Sequence, residues 1–284
     1  MHKLKHWFVL GIRIVLWVHV VFILLALLFS LLYSILPPGI STLHVYRRWV
    51  DGIKPRYPVR FVALEKLNPN LTEMLIAAED GNFPVHRGID IESMKQAWQI
   101  NRQLGYYAAG ASTLTQQLAR TLFLFPKKWM VRKYAEIWLA LSMELVMPKR
   151  RIVELYVNVV EWGPGIYGID AAARHWFKKP ATALGVDELA RLVAILPNPL
   201  DYTPHSFWRH PDLRWRWQYL WQRFGHNQVQ HRGPVQTVGQ VRTAHAIREP
   251  VKQRVVDETQ EVKTNPAGAP GEKPPVTNLA ATNR

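Results

Sequence analysis

Five polar clusters follow one another along 79–173: EDGNFPVHRG at 79–88, GASTLTQQLAR at 110–120, KKWMVRKYAE at 127–136, KRRIVELYVN at 149–158 and GPGIYGIDAAA at 163–173. Two carboxylates, Glu79 and Glu136, come with the cations Arg120, Lys128 and Lys133. A carboxylate that removes a proton, set near cations that neutralise charge, suits chemistry on an anionic substrate with a hydroxyl nucleophile. Each cluster also has a plainer reading. Glu79 and Asp80 alone read as solvated carboxylates beside a turn. Ser112 and Thr113 with the following glutamines make a good helix start. Lys133 and Glu136 at i,i+3, with Arg132 and Glu136 at i,i+4, read as surface pairs worth about 0.2–0.5 kcal/mol. The apolar neighbours Trp129, Val131, Ile137, Trp138 and Leu141 surround Glu136 on several sides, so that carboxylate needs a partner or a task.

The elements that must position these groups are predicted to be mainly helical. Asn68-Pro69 starts a helix that ends near Glu79, with Leu71, Leu75 and Ala78 on one face. A second helix is predicted over 91–104, then a loop at 105–111 with two tyrosines, read as a lid over the cleft. Thr113 and Gln116 fit a capping box at the start of a third helix. That helix start is also an anion site, and Gln116 and Gln117 extend a polar edge from it to Arg120. Further helices are predicted over 129–147, 150–160, 170–177, 187–196 and 211–224. On the last, Leu213, Trp217, Leu220, Trp221 and Phe224 share a face suited to core packing. Glu154, Tyr156 and Asn158 read as structural groups tying helices together. The segment 59–64 reads as a short strand within a basic connector, and 227–284 as a disordered tail.

The longest uncharged apolar run, 14–36, is interrupted only by His19, Ser30 and Ser34. At about 1.5 Å per residue, about 22 helical residues reach about 33 Å, enough to cross a bilayer. The run is too long for a cleaved signal peptide and ends at Pro37-Pro38, so a single uncleaved span is predicted. The positive-inside count opposes export of the body, but long domains translocate largely regardless of charge. The chain holds no cysteine, which excludes disulfides, thiol catalysis and cysteine metal sites. The net charge is +15, of which the tail, with eight Lys/Arg against five Asp/Glu, supplies only +3. A basic body beside a span favours anionic lipid or a phosphorylated substrate; no nucleic-acid motif accompanies it.

Taken in order, the clusters resemble those of the peptidoglycan glycosyltransferases of family 51, lysozyme-like enzymes that polymerise lipid II. The resemblance covers about 62–203 and all five family motifs: E-D-x-x-F-x-x-H-x-G at 79–88, G-[GA]-S-T-x-[TS]-Q-Q at 110–117, R-K-x-x-E at 132–136, K-x-x-I-[LV]-E-x-Y-[LV]-N at 149–158, and the Gly/Ala-rich stretch 165–173. The departures are Ala111, Arg120 in place of a common lysine, Val153 and Val157.

The resemblance implies a lysozyme-like glycosyltransferase domain at 62–226. Before it come a cytoplasmic N-terminus at 1–13, a transmembrane anchor at 14–36 and a basic connector at 37–61. It implies that Glu79 is the base for the GlcNAc 4-hydroxyl, which attacks the donor MurNAc with inversion and expels undecaprenyl pyrophosphate. Glu136 is placed near the leaving group as a second catalytic carboxylate, with Mg2+ or Mn2+ there left open and no organic cofactor. The implied substrate-binding set is Arg120, Lys128, Lys133, Ser112, Gln116 and Gln117, joined by Asp80, Phe83 and His86 in support of the first motif. The implied partners are lipid II, the growing glycan-lipid pyrophosphate, the membrane and other cell-wall synthesis proteins. The implied location is the bacterial inner membrane, single-pass, with the catalytic domain outside the cytoplasm. No penicillin-binding S-x-x-K set follows, so a monofunctional member is expected. A lytic transglycosylase or hydrolase has little use for the cation series. A silent membrane scaffold has no need of both glutamates.

Overall fold

Capping chemistry cuts the chain into helices close to where the sequence predicts them. The computed structural model describes residues 2–106, 108–127 and 129–225, all within one compact unit. The helices are α1 (His2–Ile35), α2 (Thr42–Trp49), α3 (Asn70–Glu79), α4 (Ile91–Leu104), α5 (Leu114–Phe123), α6 (Met130–Val146), α7 (Lys149–Val159), α8 (Ile169–Phe177), α9 (Val186–Ile195) and α10 (Pro211–Phe224), with 3-10 turns at Leu64–Lys66 and Ala181–Ala183. The Asn68 side chain accepts from the Asn70 N–H at 3.1 Å and so caps α3. Asp90 caps α4 through the Ser93 N–H, and Gly105, at φ 75°, closes it in the left-handed region. Thr113 and Gln116 form the capping box of α5, and Pro211 opens α10.

One expectation is corrected. No strand forms among the described residues; the only pairing is an isolated antiparallel bridge between Glu161 and Tyr167. The predicted strand at 59–64 is irregular chain that runs into the 3-10 turn at Leu64, and the Asn158 amide bonds both the N–H and the C=O of Val62, at 2.8 and 2.9 Å. A side chain thus does the work of a neighbouring strand. The basic connector contains α2, capped by Ser41. The span predicted at 14–36 falls on α1, which starts ahead of it. Charged residues near its start do not break backbone hydrogen bonding, and the helix runs from His2. The predicted tail lies outside the described residues.

One apolar core joins α3, α5, α7, α8, α9 and α10. On α7, every residue from Leu155 to Val159 is buried. Leu213, Leu220 and Phe224 of α10 are buried, as their shared face predicts. Gly168, at φ 80°, lets the loop before α8 approach α7; a Cβ there would stand 2.6 Å from the Asn158 carbonyl oxygen.

Within α1, Lys5–Ile35 is long and apolar enough to cross a membrane, and most of its apolar side chains are exposed. One stripe packs on the body. The His19 ring meets Tyr134 and Trp138 of α6, at centroid distances of 5.8 and 5.2 Å. Phe29 and Tyr33 meet Phe123 at 6.2 and 5.7 Å.

Candidate active site

Glu79 is the last residue of α3, and the chain leaves the helix at Asp80 with φ −156° and ψ 74°. The turn that follows is fixed from behind. Asp80 Oδ2 accepts from the Leu114 N–H at 2.8 Å, at the free N-terminus of α5. His86 Nδ1 accepts from the Gly88 N–H at 3.1 Å, so in the neutral ring the proton sits on Nε2 and is donated to Asp80 at 2.9 Å. Lys149 of the fourth motif donates to the His86 carbonyl oxygen at 2.6 Å and to Glu144 at 2.8 Å, and lies 4.3 Å from the Phe83 ring centroid. Asp80 and Phe83 are buried, and Asp80, Phe83 and His86 are all engaged in this scaffold. These contacts hold the turn that carries Glu79.

The carboxylate of Glu79 is held at both ends. Gln117 Nε2 donates to Oε2 at 3.2 Å, and Arg216 Nη2, from α10, donates to Oε1 at 2.5 Å. Gln117 is itself oriented by Tyr156, whose hydroxyl donates to its Oε1 at 2.9 Å. Burial pushes the Tyr156 hydroxyl well above its ordinary range and nearby Glu79 raises it further, against Arg120 and Arg216, which lower it. Tyr156 is thereby kept protonated and able to donate. Arg120 is half-buried one turn along α5 from Gln117.

A second cluster lies one residue away on α5. Lys133 Nζ donates to Ser112 Oγ and Gln116 Oε1, each at 3.1 Å, and to Glu136 Oε1 at 2.7 Å. Arg132 bonds the other oxygen of Glu136. Glu136 is 0% exposed, whereas the Lys133 side chain is 34% exposed. The surface-pair reading of this cluster is therefore excluded. A fully buried carboxylate with two cations is a holding group: removing it would leave the cations uncompensated. Glu136 is bonded to Lys133 through one oxygen and to Arg132 through the other. Both its oxygens face a cation, and no cluster of three or more His, Cys, Asp or Glu able to hold a metal occurs among the described residues. This donor set does not fit Mg2+ or Mn2+ at Glu136.

The structure brings together Glu79, Gln117 and Arg120 on one side and Ser112, Gln116, Lys133 and Glu136 on the other, with α5 between them. Lys128 lies outside the described residues. Sequence reasoning missed Arg216, and it took Tyr156 for a purely structural group. No local spacing reveals Arg216, which is 137 positions from its partner. Tyr156 was findable only as a polar group on an otherwise apolar helix.

The residues that build this site lie within the stretch that is similar to known proteins. The pattern of the family described as Transglycosylase matches residues 51–224. A biosynthetic peptidoglycan transglycosylase of Burkholderia vietnamiensis is 40% identical over 177 residues, covering 61% of this chain and 72% of the relative. A protein of the same name from Laribacter hongkongensis is 42% identical over 146 residues, covering 51% of this chain and 64% of its own. The one from Burkholderia cenocepacia is 42% identical over 159 residues, covering 55% and 65%.

Proposed function

The chain belongs to the transglycosylase family, and from that premise we propose how its residues carry out peptidoglycan glycosyl transfer. The enzyme is a peptidoglycan glycosyltransferase acting on lipid II at a membrane. Glu79 takes the proton of the acceptor GlcNAc 4-hydroxyl. The freed oxygen pair attacks the anomeric carbon of the donor MurNAc, and the bond to undecaprenyl pyrophosphate breaks with inversion. A pyrophosphate leaves without protonation, so the need on that side is for positive charge. Lys133, partly exposed and aimed by Ser112, Gln116 and Glu136, supplies it with Arg120; Lys128 is assigned to the same task from the motif alone. No step is routed through a metal.

The observation that carries this reading is the bonding of Glu79. Its oxygens accept from an amide and a guanidinium, the surroundings of a proton acceptor and not of a proton-donating acid. A lytic enzyme needs the latter. Support for an inner-membrane location, with one span and an extracytoplasmic body, comes from α1 and from the lipid-borne substrate. Contacts with other wall-synthesis proteins belong to the same proposal. Replacing Glu79→Gln tests it: lipid II turnover is abolished while the protein stays folded, its unfolding midpoint lowered only by the several degrees that loss of the Arg216 ion pair costs, because the amide keeps the shape but accepts no proton. Turnover near the wild-type level would remove Glu79 from the role of base.

A further inference from the structure

The membrane-spanning helix closes itself only in part. α1 stops at Ile35 ahead of Pro37-Pro38 and has no basic residue in its last turn. Ser34 Oγ donates to the Leu31 carbonyl oxygen at 2.7 Å and the Leu36 N–H to that of Leu32 at 2.9 Å, so the carbonyls beyond Leu32 depend on partners from elsewhere. Arg151 of α7 supplies them. Its Nε donates to the Tyr33 carbonyl oxygen at 3.0 Å and its Nη2 to that of Leu36 at 2.9 Å. The third nitrogen, Nη1, donates to Glu154 Oε2 at 2.5 Å. Glu154 Oε1 in turn accepts from the Leu64 N–H at 2.9 Å, and the guanidinium lies 5.3 Å from the Phe61 ring centroid. With all three nitrogens bonded and its side chain 13% exposed, Arg151 is a locked fork rather than a surface cation.

The same helix reaches the base. Tyr156 lies five positions beyond Arg151, about 7.5 Å along the axis of α7, and donates to Gln117, which donates to Glu79. An unbroken series of directional contacts thus runs from the end of the membrane helix to the carboxylate. The other contacts between α1 and the body lie farther back along the helix. The rings of His19, Phe29, Tyr33, Phe123, Tyr134 and Trp138 fix which side of α1 faces the body, and one exposed hydrogen bond joins the Tyr134 hydroxyl to His19 Nδ1 at 3.1 Å. At the end of α1 itself the packing is apolar and non-directional, and it resists axial sliding less than the Arg151 hydrogen bonds to named carbonyls.

We propose that Arg151 is a positioning residue that sets the height of Glu79 relative to the membrane exit of α1, matching the base to a sugar held by a lipid in the same bilayer. The inference rests on the reading of Glu79 as base and α1 as anchor. A lipid-linked acceptor presents its hydroxyl at a fixed distance from the bilayer, so slack between anchor and body becomes misalignment of base and hydroxyl. An error of about 1 Å costs up to about a hundredfold in rate. A water-soluble, short-chain analogue carries no such height constraint.

The test uses the full chain in two settings: proteoliposomes with long-chain lipid II, and detergent with a short-chain soluble lipid II analogue. Arg151→Ala is expected to lose about tenfold or more of kcat in vesicles and to keep its activity on the soluble analogue. Arg151→Lys, which reaches one carbonyl only, falls between. Glu154→Gln, which frees the fork at smaller cost to the fold, shows the same split more weakly and serves if Arg151→Ala does not fold. Glu79→Gln is the reference and is inactive in both settings if the base assignment holds; activity there would sink that assignment and not the clamp. Because the chain has no cysteine, spin labels at Ile35→Cys and Arg150→Cys report the joint directly. Their distance distribution is narrow with Arg151 present and broad in Arg151→Ala. Equal loss of activity in both settings, no loss in either, or an unchanged distance distribution overturns the proposal.

Discussion

Arg216→Ala removes the guanidinium from Glu79 while leaving the amide of Gln117 in place. A hydrogen bond between charged groups contributes about 1.5–3 kcal/mol. The two side chains are 20% and 10% exposed, so solvent screens only part of that, and we take the stability cost as about 2 kcal/mol. At about 2–4 °C per kcal/mol for a domain of this size, the unfolding midpoint drops by several degrees and the enzyme stays folded at assay temperature. Turnover suffers more. With Oε1 released, the carboxylate rotates about its bond to Gln117, and displacement by about 1 Å lowers kcat by about tenfold to a hundredfold. Arg216→Lys restores a charge within reach but not the planar fork, so it recovers stability ahead of rate. The assay is lipid II consumption at saturating and limiting substrate, beside thermal unfolding of each variant. A wild-type kcat in Arg216→Ala refutes the reasoning. A loss confined to KM refutes it in another way, by making Arg216 a substrate-binding cation.

Glu136→Gln is expected to lower turnover severely and to cost about 2 kcal/mol or more, since Arg132 and Lys133 lose a buried counterion. Lys133→Ala also lowers turnover and weakens binding of a pyrophosphate-bearing analogue, measured by calorimetry; unchanged analogue affinity would return the cluster to a structural role. Burial holds His44 of α2 well below its ordinary 6.5, at about 4, so the folded state disfavours its protonation. Its contribution to stability, up to about 3 kcal/mol, is complete above pH 6.5 and is lost as the pH falls towards 4. In thermal unfolding across that window, His44→Asn has a shallower acid slope than wild type; parallel slopes would refute the assignment.

What the sequence discloses is what acts over short range. The cap at Asp90, the box at Thr113 and Gln116 and the proline at 211 depend on neighbours within four residues, and those helices begin where predicted. The pairing of Arg132 and Lys133 with Glu136 is also readable from helical spacing, but its burial is not. Whether that carboxylate faces water or core depends on α5, which packs over it. The strand reading at 59–64 failed for the same reason. Its β-branched and aromatic residues suit a strand, yet the partner that satisfies Val62 is the amide of Asn158, 96 positions on. The loop at 105–111 was read as a lid. Among its described residues, Ala108 and Ala109 are tied to Asn101, whose Oδ1 accepts from both N–H groups at 2.7 Å. That part of the loop is fastened to the end of α4.

The distribution of unsatisfied groups bears on what the cleft receives. Buried polar atoms are nearly always bonded, because leaving one unpaired costs about 1–3 kcal/mol. Among the described residues the site holds two such atoms without a protein partner, Gln116 Nε2 and Arg216 Nε. Both are donors. One belongs to the cluster around Lys133 and the other to the pair around Glu79, so each half of the site has a hydrogen-bond donor to spare. Both atoms are shielded from solvent, so a ligand reaches them only after the side chains turn. On turning, each donor meets an oxygen best, and sugar hydroxyls beside the base with phosphate oxygens beside the lysine would supply one in each place, as an apolar or cationic ligand would not.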